Sequence, residues 1–178
     1  WEEGVGPTMT TLHIPDTREE AAAKLPALHI LTALGWDYLS PAHCMALRGS
    51  ERAVVLEGVL REHLSRHRFD HKGKTYSLSS AGIAQVMREI TQTGLSQGLI
   101  PANRAIYQHL TMGITVTEFV DGSRASITVP LIDWTDVTAN RFQITEELSV
   151  ERPGGMGRFR PDIVAYVNGI PLVVIEAK

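Results

Sequence analysis

The strongest constraint on the fold lies in residues 158–178. Two apolar runs, 163–167 and 172–175, flank Asn168-Gly169-Ile170-Pro171. Asn-Gly between β-branched runs is the strongest short-range hairpin signal, because a tight hairpin turn needs positive φ at both central residues. Charge is confined to the open end of this hairpin. Asp162 begins the first strand, and Glu176 and Lys178 finish the second.

Two carboxylates and an ammonium at one end of an oily hairpin need partners or a task, because burying charge is costly. Hard divalent cations such as Mg2+ take carboxylate oxygens and keep several waters. Asp162 and Glu176 are therefore the candidate metal ligands, and Lys178 can hydrogen-bond an attacking water or offset charge on a phosphoryl oxygen. That pattern points to metal-assisted phosphodiester hydrolysis.

Strand parity limits this idea. Glu176 and Lys178 are two apart and share a strand face. A two-residue turn with regular pairing sets Val167 opposite Ile170 and Asp162 opposite Ile175, which turns Asp162 away from Glu176. A three-residue turn or a β-bulge restores the match. The expectation is therefore a bulged or three-residue connection.

Pro161-Asp162 followed by Glu176-Ala177-Lys178 resembles the PD-(D/E)xK nuclease signature. The longer string from Arg160-Pro-Asp-Ile-Val through Asn168-Gly-Ile-Pro-Leu-Val-Val-Ile-Glu-Ala-Lys178 closely resembles the nuclease region of type I restriction enzyme R (motor) subunits. Weaker echoes are Leu-Gly-Trp-Asp-Tyr at 34–38, Leu-Ile-Asp-Trp at 131–134 and Asn140-Arg-Phe. The resemblance implies an αβββαβ-type core with Asp162, Glu176 and Lys178 catalytic. It also implies that the Ala177 carbonyl is a further metal ligand. A helix and a final strand are expected after Lys178, so the chain reads as a nuclease fragment truncated there. An ATP-driven translocase would follow. No Gly-x-x-x-x-Gly-Lys-Ser/Thr phosphate loop is present, so ATP is expected only for a full-length protein.

The fold class expected is α+β, with N-terminal helices leading into a mixed β-sheet, restriction-endonuclease-like core. Residues 1–15 read as an extension, 16–113 as the helical part and 114–178 as the β-rich core. A net charge of −3 supplies no global basic field, so a nucleic-acid surface must be local. The single cysteine, Cys44, excludes an internal disulfide and suits a reducing cytoplasm. No apolar run approaches a membrane span, and the N-terminus lacks a signal-peptide layout.

Thr17 and Glu20 form a capping box for a helix to Leu34, which Pro26 is expected to kink or split. Glu19 and Glu20 are candidates for an extra metal-side carboxylate, with solvation of the surface as the simpler role. A second helix is expected from Glu51 to about His67, burying Val55, Leu56, Val59, Leu60 and Leu64. Residues 61–74 are basic and carry Phe69, with Tyr76 beside them, which suits a phosphate backbone or a solvated helix end equally. His63, His67 and His71 carry too few companions for a zinc site.

Ser79 or Ser80 caps a third helix, and a fourth runs from Pro101 to Gly113. From Ile114 the period changes to two, with a hairpin at Asp121-Gly122. Asp133 and Asp136 suit turn and cap roles better than ligation. Another strand through Phe142, Ile144 and Leu148 should lie beside the last hairpin, and Glu146 or Glu147 could face its cleft. Arg158 and Arg160 flank the proposed centre, and guanidinium suits phosphate, so both are candidate DNA contacts.

The expected activity is Mg2+-dependent cleavage of double-stranded DNA. It would operate in a type I system whose specificity and methylation subunits supply target recognition. A junction resolvase or other PD-(D/E)xK enzyme, and a non-catalytic DNA-binding or assembly module, are the competing readings.

Overall fold

A computed structural model describes residues 19–92, 98–152 and 157–177, with side chains from residue 23 onward. Its elements run α1 (Glu19–Ala33), β1 (Asp37–Leu39), α2 (Pro41–Arg48), α3 (Glu57–Arg66), β2 (Arg68–His71), β3 (Lys74–Ser77), α4 (Ser80–Thr91) and α5 (Leu99–Met112). Then come β4 (Ile114–Val120), β5 (Ser123–Val129), β6 (Phe142–Glu146), β7 (Val150–Glu151), β8 (Arg158–Phe159), β9 (Ile163–Val167) and β10 (Ile170–Ile175). The mixture is α+β, as expected.

The central sheet has the order β1-β6-β9-β10. β1 runs parallel to β6, and β6, β9 and β10 form an antiparallel meander. Every residue of β9 is buried, because helices cover both faces. Ile163 and Ala165 join Ile144 and, from α1, Leu28. Val164 and Tyr166 meet Leu39, Cys44, Leu56, Val59 and Leu148 on the other side. Each fully buried side chain of this size contributes about 1.5–3 kcal/mol. β9 is therefore the firmly anchored strand from which the candidate site projects.

A third cluster ties the turn end of the hairpin to the rest of the chain. Val167 and Ile170 pack with Leu60, Leu64, Val86, Met87, Ile114, Val116 and Val129, drawn from α3, α4, β4 and β5. Buried Glu118 of β4 accepts the Ser79 N–H at the start of α4 (3.1 Å), beside the Ser79 side-chain cap on the Gly82 N–H.

Several expectations need correction. Pro26 does not split α1, which continues across it while Ala27, Leu28 and Leu31 pack on the sheet. Leu34, where the helix was expected to end, lies just past α1 and is 72% exposed. The second helix begins at Glu57, not Glu51; the lead-in still buries Val55 and Leu56. α2 was unforeseen, although Ser40 accepting the His43 N–H ahead of Pro41 is an ordinary helix start. Three strands also sit among the N-terminal helices. β1 joins the central sheet, and β2–β3 is a hairpin turning at Lys72-Gly73 with Phe69 stacked on Tyr76. Thr17 lies outside the described residues.

Candidate functional site

The hairpin behind the site is clamped at its turn. Asn168 (φ 51°) and Gly169 (φ 82°) both occupy the left-handed region that a two-residue turn requires. Asn168 is fully buried. Its Oδ1 accepts the Arg141 N–H (2.8 Å), and its Nδ2 donates to the Leu131 carbonyl (2.9 Å) and to Asn140 Oδ1 (2.8 Å). The Leu56 N–H donates to the Gly169 carbonyl (2.8 Å). Thus Asn168 and Asn140 form a structural latch at the end of the sheet away from the charges.

Parity is restored by a bulge, not by a longer turn. Val167 pairs with Ile170 and Tyr166 with Pro171; the register then shifts, so that Ala165 faces Val173 and Ile163 faces Ile175. Leu172 is the extra residue. Continued one step past Ile163 and Ile175, this register would set Asp162 opposite Glu176. The bulge also suits Pro171, which lacks an N–H and is tolerated where the ladder is irregular or at an edge.

Asp162 and Glu176 therefore lie just beyond the last paired residues, Ile163 and Ile175, at the open end. Asp162 is half-buried and Glu176 exposed. The Ala177 N–H donates to Asp162 Oδ2 (2.7 Å), which ties the two strand ends and leaves Oδ1 without a protein partner among the described residues. Lys178 lies outside the described residues. Hard oxygen donors of this type fit Mg2+. Among the described residues no three His, Cys, Asp or Glu side chains are grouped to hold a metal ion. The remaining coordination positions of an ion here would fall to backbone oxygen, water and phosphate.

Beside this pair sits a charged cluster that sequence reasoning found only in part. The Glu147 N–H donates to the Asp162 carbonyl (2.9 Å). From α1, Lys24 donates to Glu147 Oε1 (2.8 Å) and lies 3.1 Å from Glu146 Oε2. Tyr38 Oη donates to Glu146 Oε1 (2.7 Å), and burial together with that bond pushes the phenol up to about 12. The Lys24 bond holds Glu147 below the usual carboxylate range, with Arg160 adding to it. Burial pulls Lys24 down, but the two glutamates outweigh it and its pKa is raised. Glu146 and Glu147 were candidates in the sequence; Lys24 and Tyr38 were not, and nothing local marks a contact spanning over a hundred residues.

Both candidate arginines are ion-paired. Arg160 pairs with Glu147. Arg158 Nε meets Glu51 Oε2 at 2.9 Å with its side chain 68% exposed, so it remains open to solvent. Glu19 and Glu20 lie in the first turn of α1, with Glu20 one turn before Lys24; their side chains are outside the description. Asp133 Oδ1 accepts the Thr135 and Asp136 N–H groups, and Asp136 caps the 3-10 turn Val137–Ala139. These are turn and cap roles remote from Asp162.

His63 and His67 line a cleft with Arg66, Arg68 and Asp133. Burial lowers both imidazole pKa values, with nearby Arg66 and Arg68 adding to the effect.

Comparison with known proteins places the chain. Residues 16–178 match the family model for the type I restriction enzyme R protein N terminus, and the chain belongs to that family. It is 30% identical over 156 residues to the type I restriction enzyme HindI endonuclease subunit of Haemophilus influenzae, covering 85% of this chain. A Methanocaldococcus jannaschii protein bearing the MjaIXP type I restriction-enzyme endonuclease-subunit name is 33% identical over 76 residues, or 42% of this chain. The matches span only 14% and 7% of those relatives. Among the described residues no helix is long and apolar enough to cross a membrane.

Proposed function

We propose that this chain is the nuclease part of a type I restriction enzyme R subunit and cleaves double-stranded DNA in a Mg2+-dependent reaction. The observation that carries the reading is the bulge at Leu172, which pairs Ile163 with Ile175 in the register that a shared Asp162–Glu176 face requires. Supporting it, α1 packs on the meander β6-β9-β10, a helix-on-sheet arrangement compatible with a PD-(D/E)xK core. The family adds a restriction system, with specificity and methylation subunits as partners and ATP-driven translocation by the larger protein.

Asp162 and Glu176, with the Ala177 carbonyl, would hold the ion. When bound, Mg2+ supplies positive charge against the scissile phosphate and lowers the pKa of a nearby water. Two residues beyond Glu176, Lys178 would position that water as the ammonium, or take its proton when present as the neutral amine. The water oxygen bonds to phosphorus as the bond to the leaving deoxyribose oxygen breaks, and the leaving oxygen is protonated from solvent. Arg158, solvent-open beside the centre, contributes charge-assisted contacts to flanking phosphates, and Arg160 does so when released from Glu147.

The test uses the complete protein assembled with its partner subunits. Asp162→Ala and Lys178→Ala should each abolish DNA cleavage while leaving assembly intact. Cleavage that persists in both variants removes the catalytic assignment.

A further inference from the structure

We propose that Glu147 is a positioning residue for Asp162, fixing the backbone from which the metal-binding carboxylate projects. The inference rests on the site assignment above and adds a residue outside the PD-(D/E)xK signature.

Glu147 follows the last residue of β6 and has φ 50°, in the left-handed region that glycine favours. A side-chain-bearing residue persists there where its surroundings over-determine it. Here they do so in two ways. Its N–H points at the Asp162 carbonyl (2.9 Å), so the reversal of the chain directly braces the residue before β9. Its carboxylate is held from two sides, by Lys24 of α1 at 2.8 Å and by Arg160, two residues before Asp162. Lys24 in turn bridges to Glu146, which Tyr38 fixes at 2.7 Å.

Asp162 is thus braced at both ends. Glu147 holds its carbonyl, and the Ala177 N–H holds its carboxylate. Mg2+ demands near-ideal octahedral geometry, so affinity depends on ligands being held in place before the ion arrives. Groups that orient metal ligands typically change affinity by roughly 10–100-fold when removed. Glu147 touches neither ion nor phosphate in this account; it acts through Asp162.

The experiment titrates Mn2+ into the complete protein, without nucleotide or DNA, and follows binding by electron paramagnetic resonance. Wild type is compared with Asp162→Ala, Glu147→Ala and Glu147→Gln, with thermal melts alongside. Asp162→Ala should remove one Mn2+ site. Glu147→Ala should weaken that site by roughly tenfold or more. Glu147→Gln keeps an oxygen acceptor for Lys24 or Arg160 and should stay nearer wild type than Glu147→Ala. If Asp162→Ala binds like wild type, the site assignment itself fails. If Asp162→Ala loses the site but Glu147→Ala binds with wild-type affinity, the site stands and the positioning role is overturned. Should Glu147→Ala not fold, Lys24→Met removes one brace without touching the turn; it should weaken the same site, and wild-type affinity there overturns the proposal.

Discussion

Gly169→Ala tests how firmly the hairpin is seated, and its cost follows from the coordinates. Gly169 has φ 82°, and a Cβ there would lie 2.6 Å from the Leu56 carbonyl oxygen and about as close as 3.1 Å to the Leu60 nitrogen. The left-handed backbone alone costs an alanine about 1–2 kcal/mol. Relief of the clash requires the turn to retreat from the start of α3, which breaks the bond from the Leu56 N–H, worth about 1 kcal/mol. The sum is about 2–3 kcal/mol before any loss of packing around Ile170. For a chain of this size, this corresponds to a fall in Tm of roughly 4–12 °C.

Gly73→Ala is the matched control. Its φ is 77°, but nothing lies within 4 Å of its Cβ, so only the backbone term applies. Urea titrations of both variants measure the difference. If Gly169→Ala destabilises no more than Gly73→Ala, the turn is not wedged against α3 and the anchoring of the site is wrong.

Two further outcomes follow. Deleting Leu172 removes only the unpaired residue of the bulge, so the pairing of 163 with 175 survives and Mg2+-dependent cleavage should be retained. Inserting one alanine between Val173 and Val174 should abolish it, by turning Glu176 and Lys178 to the other face; cleavage assays giving the reverse pattern would contradict the register. His63 and His67 have folded pKa values below the unfolded value of about 6.5, so their contribution is fully present above that pH and is lost as pH falls through the folded values. Urea midpoints of wild type should drop as pH falls below about 6.5, and those of a His63→Gln/His67→Gln variant should drop less; identical slopes would exclude these histidines.

What the sequence disclosed was what local chemistry determines. Asn168-Gly169 and Asp121-Gly122 mark their hairpins because turn φ values select those residues. Ser79 marks a helix start because its side chain accepts the Gly82 N–H, and Gly113 (φ 81°) marks a helix end by its left-handed φ. The hairpin at Lys72-Gly73 escaped notice because lysine is a rare occupant of its left-handed position (φ 50°), and the surrounding charges suggested a helix end. Residues 51–56 were read as helix because Val55 and Leu56 are core residues, yet the Leu56 N–H bonds across the chain to Gly169. Apolar spacing reported burial there, not helix.

Non-local pairing was the other limit. β1 is three residues long and acquires its place only from β6, more than a hundred residues later. The bulge itself was required by the chemistry proposed for Asp162 and Glu176. Its position at Leu172 could not be read, because any extra residue along β10 would restore parity. Lys24 and Tyr38 were illegible for the same reason as β1. Their partners, Glu146 and Glu147, are brought to them by the sheet.

The central claim is that one cation bridges Asp162 and Glu176. A double-mutant cycle on Mn2+ affinity in the complete protein, using Asp162→Asn, Glu176→Gln and the pair, measures this directly. Shared ligation predicts that each single change weakens the same site by roughly tenfold or more, and that the double variant is far less impaired than the two effects added. Effects that simply add, or either single variant binding like wild type, would show that these carboxylates do not hold a common ion.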